Sequence, residues 1–245
     1  MNSNWILILG AGSDIAIATA HKYAQSGYSI YLCSRNIEEL RKEAKDIEIR
    51  YEVNTEVLYF DALDYKSHQK FYNNLPVKPK GVLLAFGLLG EQKVQQEEFE
   101  LAKLVIDTNY VSAVSILEII SQSFEKTKSG FIIGISSVAG DRGRSSNYIY
   151  GSSKAGLSTY LEGLQHRLFK SNVHVLIVKP GFVATKMTAS MNLPSLLTAR
   201  PDEVSSAIYE GIRKKKNVIY VKSVWFFIMA LIKNTPKFIF KKTSL

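Results

Sequence analysis

Cysteine is almost missing from this chain: one residue, Cys33, among 245. A single thiol excludes an intramolecular disulfide and suits a reducing compartment. Its place in the apolar run SIYLC (29–33) predicts a buried, inert group. Histidine is scarce as well. The four histidines, at 21, 68, 166 and 174, show no metal-ligand spacing, so no metal site is expected. Acid is absent from the C-terminal end: from Lys222 to Leu245 there are five lysines (222, 233, 237, 241, 242) and neither Asp nor Glu. Most of the net charge of +9 therefore belongs to that tail, leaving +4 for the other 221 residues. Without a recognition motif for DNA or RNA, a nucleic-acid partner is not expected. Long hydrophobic runs are lacking too. The apolar run 224–232 has nine residues, under half of the ~20 that span a bilayer. The run WILIL (5–9) is too short for the core of a secretory signal, and a cytoplasmic location is expected.

What is there is alternation. Strand-like apolar runs fall at 5–9, 29–33, 56–60, 81–86, 131–135, 173–178 and 217–221. The stretches between them, 14–26, 36–50, 65–75, 97–127, 148–170 and 201–215, carry helical spacing. Near-continuous Val/Ile/Leu strands separated by helices predict a mostly parallel sheet of about seven strands covered on both faces, a single doubly wound α/β domain over 1–221. In such a sheet a ligand lies beyond the carboxyl ends of the strands, so the loops after each strand are the ones that carry chemistry.

Three motifs stand in those loops. After strand 1 comes Gly10-Ala11-Gly12-Ser13-Asp14-Ile15, where glycine permits a tight turn and bare N–H groups at a helix start can meet a pyrophosphate. Asp14 is expected as the N-cap, and Ala16 is small enough for close helix–strand packing. After strand 2, Ser34, Arg35 and Asn36 replace the acid that would hold a ribose 2′-hydroxyl; a guanidinium there favours a 2′-phosphate, and hence NADP(H) over NAD(H). The third motif is SSVAGDRGRSSNYIYGSSKAG (136–156). Tyr150 and Lys154 are spaced i, i+4 on one helix face, and a nearby ammonium is expected to lower the phenol pKa towards that of a working acid–base group. Tyr148 is the rival, but residue 152 is Ser, so Tyr148 lacks the lysine.

At this point the chain, over roughly residues 4–221, resembles the short-chain dehydrogenase/reductase family. The resemblance implies a catalytic tetrad of Asn109 (in DTNY), Ser137, Tyr150 and Lys154. Ser137 polarises a substrate carbonyl, Tyr150 protonates it, Lys154 lowers the tyrosine pKa and binds the nicotinamide ribose, and Asn109 anchors a proton-relay water. It also implies cofactor contacts from Asp61 and Ala62 after strand 3, Gly87 after strand 4, and Pro180, Gly181, Val183 and Thr185 in KPGFVATKM, the threonine meeting the nicotinamide carboxamide. Two departures are visible: glycine is kept at 10 but not at 14 or 16, and LAFG (84–87) stands where the family has Asn-Asn-Ala-Gly. LGAGSDIA, GLLGEQ, NYIYGSSKAGL, PGFVATKMT and TPKFIFKK are together similar to reductases of decaprenylphosphoryl 2-keto-pentofuranose. That similarity implies a keto-sugar substrate, small or linked to a polyprenyl phosphate, in polysaccharide precursor synthesis. A 3-oxoacyl or steroid-like ketone is the alternative within the class, and a non-catalytic nucleotide-binding scaffold the alternative outside it. Homo-oligomers through the long helices 97–127 and 148–170 are expected by the same resemblance.

The tail, 222–245, is read apart. Its segment SVWFFIMALIKNTPKFIF (223–240), basic and rich in aromatics, is expected either to lie in a membrane interface through residues 223–242 or to fold over the substrate cleft or a partner subunit.

Overall fold

The computed structural model describes residues 4–189 and 191–243. In chain order the first half comprises β1 (Trp5–Leu9), α1 (Asp14–Ala24), β2 (Ser29–Ser34), α2 (Ile37–Tyr51), β3 (Thr55–Tyr59), α3 (His68–Asn73), β4 (Gly81–Leu84), α4 (Gln92–Glu97) and α5 (Phe99–Ile106). The second half comprises α6 (Ser112–Thr127), β5 (Gly130–Ile135), α7 (Tyr148–Leu168), β6 (Val173–Pro180), β7 (Phe182–Val183), β8 (Thr198–Ala199), α8 (Pro201–Arg213), β9 (Val218–Val221), α9 (Val224–Asn234) and α10 (Lys237–Phe240). Seven strands join in one parallel sheet ordered β3-β2-β1-β4-β5-β6-β9, and β7 and β8 form a separate parallel pair. All seven expected strands are present, and the fold is the expected doubly wound α/β.

The sheet is buried on both faces because its strands are apolar on both. Along β1, Ile6 and Ile8 point to the side covered by α1, α2 and α8, while Leu7 and Leu9 point to the side covered by α3, α6 and α7. Cys33 lies on the second side, fully buried, and burial pushes its thiol well above its ordinary value. The order reverses between β1 and β4, so the chain opens a crevice at the carboxyl ends of the central strands.

The stretch expected as one helix, 97–127, is interrupted. One widened π-type turn, Asp107–Val111, separates α5 from α6 and carries Asn109. The 99–127 stretch is long and apolar enough to cross a membrane, yet Ala113, Ile116, Leu117, Ile120 and Phe124 of α6 pack in the core.

Candidate active site

A cleft of about 1010 Å³ runs along the carboxyl ends of β1 to β6. It is lined by Gly10, Gly12, Ser13, Asp14 and Ile15, by Ser34 and Arg35, by Asp61 and Ala62, and by Gly87. Its far wall carries Ser137, Tyr150 and Lys154, and Pro180, Gly181, Val183 and Thr185 close it. Two of the expected site residues lie off the cleft surface. Asn36 is exposed at the start of α2, its N–H donating to Ser34 Oγ at 3.3 Å. Asn109 is wholly buried behind the wall. Tyr148, the rival tyrosine, is exposed and does not line the cleft.

The wall is built from α7. Its inner face, Leu157, Leu161, Leu164 and Leu168, recurs every three or four residues and locks the helix onto the sheet. Close approach is allowed by missing side chains: a Cβ on Gly140 would stand 2.7 Å from Ala155 N, and one on Gly151 would stand 2.8 Å from Ala139 O. Ser136 Oγ donates to Lys154 O at 3.0 Å and shares a hydrogen bond with Ser158 Oγ at 2.7 Å, fixing the end of β5 to the middle of α7. Lys154 Nζ thereby reaches Ile135 O, donating at 2.9 Å, and stands 5.8 Å from the Tyr150 ring centre. The Ser137 hydroxyl lies near enough to Tyr150 to pull its phenol downward, and Ser137 Oγ accepts from Ala139 N at 3.1 Å.

The expected electrostatics of this pair needs correcting. Tyr150 is not lowered: burial pushes its phenol up to about 12, and the Ser137 hydroxyl pulls the other way without winning. Lys154 is itself pulled down to about 8 by burial. The spacing i, i+4 brings the groups together, but the same apolar packing that positions them disfavours both charged forms.

Asn109 acts as a brace. Its Oδ1 accepts from Leu88 N at 2.7 Å, and its Nδ2 donates to Leu88 O at 2.8 Å and to Ser153 Oγ at 2.9 Å. Both amide hydrogens are engaged, so the side chain pins the loop after β4 to α7 and has only the second lone pair of Oδ1 left for a relay water. The π-type turn is what aims it inward, a use such turns have at many functional sites.

At the other end, Gly10 has φ +88° and its missing Cβ leaves room for the Phe86 backbone, whose nitrogen would lie 2.4 Å away. Asp14 is the first residue of α1 and not its N-cap. Ser13 holds that position without a side-chain hydrogen bond, and Asp14 Oδ2 accepts instead from Lys186 N at 2.7 Å, far along the chain. The carboxylate was expected to turn back on its own helix; in fact a loop 172 residues later competes for it and wins. Ala16 is fully buried against the sheet, as its size suggested.

A nicotinamide dinucleotide fits this donor set. The first turn of α1 presents N–H groups without side-chain caps, which suits a pyrophosphate. Asp61 holds Leu63 N through one oxygen, Oδ1, at 3.0 Å. Thr185 Oγ1 makes only long contacts, 3.4 Å to Thr188 Oγ1 and 3.5 Å to Val183 O, which a ligand can displace.

Sequence reasoning did not single out Phe86, Gln92, Arg144, Asn147 or Trp225, all of which line the cleft. Trp225 comes from the segment read as a separate tail. Its Nε1 donates to Leu197 O at 3.0 Å, its ring meets Phe182 edge-on at 5.3 Å, and it fills the space that a side chain on Gly181 would take. Long-range contacts of this kind leave no local signal.

Comparison with known proteins agrees with this geometry. The family described as short chain dehydrogenase matches residues 4–195. An uncharacterized oxidoreductase of Mycobacterium tuberculosis is 30% identical over 240 residues, 97% of this chain and 96% of that protein. Another, from Streptomyces coelicolor, is 33% identical over 243 residues, 97% of this chain and 94% of that protein. Among solved structures, a short-chain dehydrogenase from Sphingobium yanoikuyae in complex with NADPH superimposes with a TM-score of 0.82 at 21% identity, covering 96% of this chain and 97% of its own. The chain belongs to the short chain dehydrogenase family, as an NAD(P)-dependent oxidoreductase.

Proposed function

We propose that this protein reduces a ketone with NADPH, and that the ketone is a keto-sugar, carried on a polyprenyl phosphate, of cell-envelope polysaccharide precursor synthesis. The observation that carries the reductase reading is the meeting of Ser137, Tyr150 and Lys154 on one wall of the cleft. When bound, the reduced nicotinamide supplies a hydride. Ser137 donates a hydrogen bond to the carbonyl oxygen, and Tyr150 donates the proton that the oxygen takes up. A phenol held near 12 is fully protonated at neutral pH, which suits the reductive direction. Lys154, while charged, favours transient phenolate. The preference for NADPH is supported by Arg35, which is exposed at the cleft edge and in no ion pair among the described residues, since a free guanidinium suits a 2′-phosphate.

Tyr150→Phe tests this reading. Turnover of a ketone panel, followed by NADPH oxidation, falls by about 10²–10⁴ while cofactor binding, read by nucleotide fluorescence, is unchanged. Retention of a large share of the activity overturns the mechanism. The panel includes 3-oxoacyl and steroid-like ketones, because Leu88, Leu89, Met187 and Met191 give the cleft an apolar side that suits them too.

The surroundings extend the proposal. The protein acts in the cytoplasm at the inner face of the membrane, α9 and α10 resting on anionic lipid. It assembles with further copies through the long helical stretches 97–127 and 148–170, where Phe99, Leu101 and Leu104 of α5 and Val111 of the π-type turn are exposed.

A further inference from the structure

Three buried polar atoms around the cleft have no hydrogen-bond partner among the described residues: Arg144 Nε, Asn147 Oδ1 and Gln92 Nε2. Such atoms are uncommon in a folded chain, because each forgoes its water without compensation. Here all three line one cavity, the one that holds Tyr150. Their orientation is set by neighbours. Gln92 Oε1 accepts from Ile149 N at 3.0 Å, which leaves its Nε2 hydrogens uncommitted. Asn147 stands directly before α7, with no side-chain cap on that helix.

Arg144 is the charged member. It is partly buried and takes part in no ion pair among the described residues. The acid three residues earlier, Asp141, is already engaged, accepting from Lys179 Nζ and from the Tyr220 hydroxyl at 2.7 Å each. Asp141 attracts the Arg144 guanidinium without pairing with it, and burial still lowers its pKa. A half-buried guanidinium with no contacting carboxylate is costly, and its planar fork of donors matches a tetrahedral anion. The adjacent N-terminus of α7 adds a field of the same sign. The cofactor's own phosphates are expected elsewhere: the first turn of α1 follows β1, and Arg35 follows β2, while Arg144 follows β5. At about 4.8 Å per strand these lie roughly 10 and 14 Å from the β5 end.

We propose that Arg144, with Gln92 and Asn147, forms a subsite for a phosphoryl group carried by the ketone substrate, the amide groups meeting hydroxyls beside it. This rests on the reductase reading and names its substrate class. The source of the phosphoryl group, a lipid-linked phosphodiester or a free sugar phosphate, is the same chemistry at Arg144. Leu88, Met187 and Phe182 along the same cleft suit the lipid-linked form.

The test compares D-ribulose 5-phosphate with D-ribulose as substrates of the full chain with NADPH. The phosphorylated ketone is expected to show kcat/KM about tenfold or more above the neutral one, carried by KM, and Arg144→Gln to erase that gap while Arg144→Lys restores part of it. Equal kcat/KM in the wild type, or a gap that survives Arg144→Gln, overturns the subsite. A second measurement needs no turnover: thermal melting with octyl phosphate or inorganic phosphate, expected to show stabilisation that Arg144→Gln abolishes. Stronger stabilisation by octyl phosphate assigns the lipid-linked source, and equal stabilisation the free sugar phosphate. If neither ribulose is reduced, the keto-sugar reading fails on its own. The melting data then judge the subsite, and the absence of any Arg144-dependent stabilisation overturns it.

Discussion

Among the side chains around the cleft, Lys154 carries a large electrostatic cost. The residue is 4% exposed, and its ammonium donates to one carbonyl and forms no ion pair among the described residues. Burial lowers its pKa from 10.5 to about 8. Below pH 8 the lysine is charged in both folded and unfolded states, and the penalty is complete. As pH rises towards 10.5 the unfolded chain loses its advantage and the penalty disappears. The difference is worth roughly 3 kcal/mol. Urea denaturation should therefore show a rise in stability of the wild type relative to Lys154→Met between pH 8 and 10.5, and parallel curves for the two proteins would refute the burial argument. On the proposed mechanism, reduction should weaken as pH climbs through about 8, because the ammonium that favours phenolate is lost. Arg35 belongs to this scale as well. Its replacement by Ala should raise KM for NADPH by about 10–100-fold, the worth of a charge-assisted phosphate contact, and leave KM for NADH nearly constant. Equal effects on both cofactors would assign the arginine to the solvent. The sequence showed which residues meet, since i, i+4 spacing fixes proximity. It did not show the direction of the Tyr150 shift, since the local dielectric depends on side chains brought in from β5 and the loop after β4.

At the scale of elements, the loop between β5 and α7 links the wall that carries Tyr150 to the C-terminal helices. Asp141 holds Lys179 of β6 and Tyr220 of β9, and its neighbour Arg142 donates to the carbonyls of Ile232, Lys233 and Thr235 at the end of α9 while stacking over the Phe240 ring at 3.8 Å. With side chains 9% and 1% exposed, the Lys179–Asp141 pair is a buried ion pair. Asp141→Asn leaves Lys179 without compensation and is expected to cost about 3–5 kcal/mol of unfolding free energy, partly recovered by adding Lys179→Met. A loss below about 1 kcal/mol would place the pair in solvent-like surroundings. The strands were legible because apolar runs of four to eight residues alternate with helical periodicity throughout the chain. The π-type turn at Asp107–Val111 was not, because one widened turn leaves the apolar spacing on either side nearly unchanged. The bond from Lys186 N to Asp14 and the seat of Trp225 against Gly181 were equally silent, since each joins residues far apart in the chain.

At the scale of the whole molecule, charge and exposed apolar surface coincide at one end. Helix α9 turns Trp225 and Met229 inward, while Phe226, Phe227 and Leu231 face out, 53%, 68% and 73% exposed. Phe238 of α10 is 70% exposed beside Lys237, Lys241 and Lys242. The inner face of α9 reaches the cleft through Trp225, and the proposed membrane contact depends on the outer face alone. Deleting the whole tail would remove Trp225 from the cleft and confuse the two roles, so the decisive variant changes only the outer face. Phe227→Ser combined with Leu231→Ser and Phe238→Ser keeps every lysine and every inward contact. Full-length protein should co-sediment with vesicles containing anionic lipid, weakly with neutral ones, and progressively less as salt shortens the Debye length below about 10 Å, each lysine near the surface contributing about 1 kcal/mol. The triple variant should lose that binding and keep its turnover of a water-soluble ketone. Equal sedimentation of wild type and variant would mean that the lysines act alone. Failure of both to bind anionic vesicles would return the outer face to a partner subunit, where a substrate delivered from the membrane would need another route into the cleft.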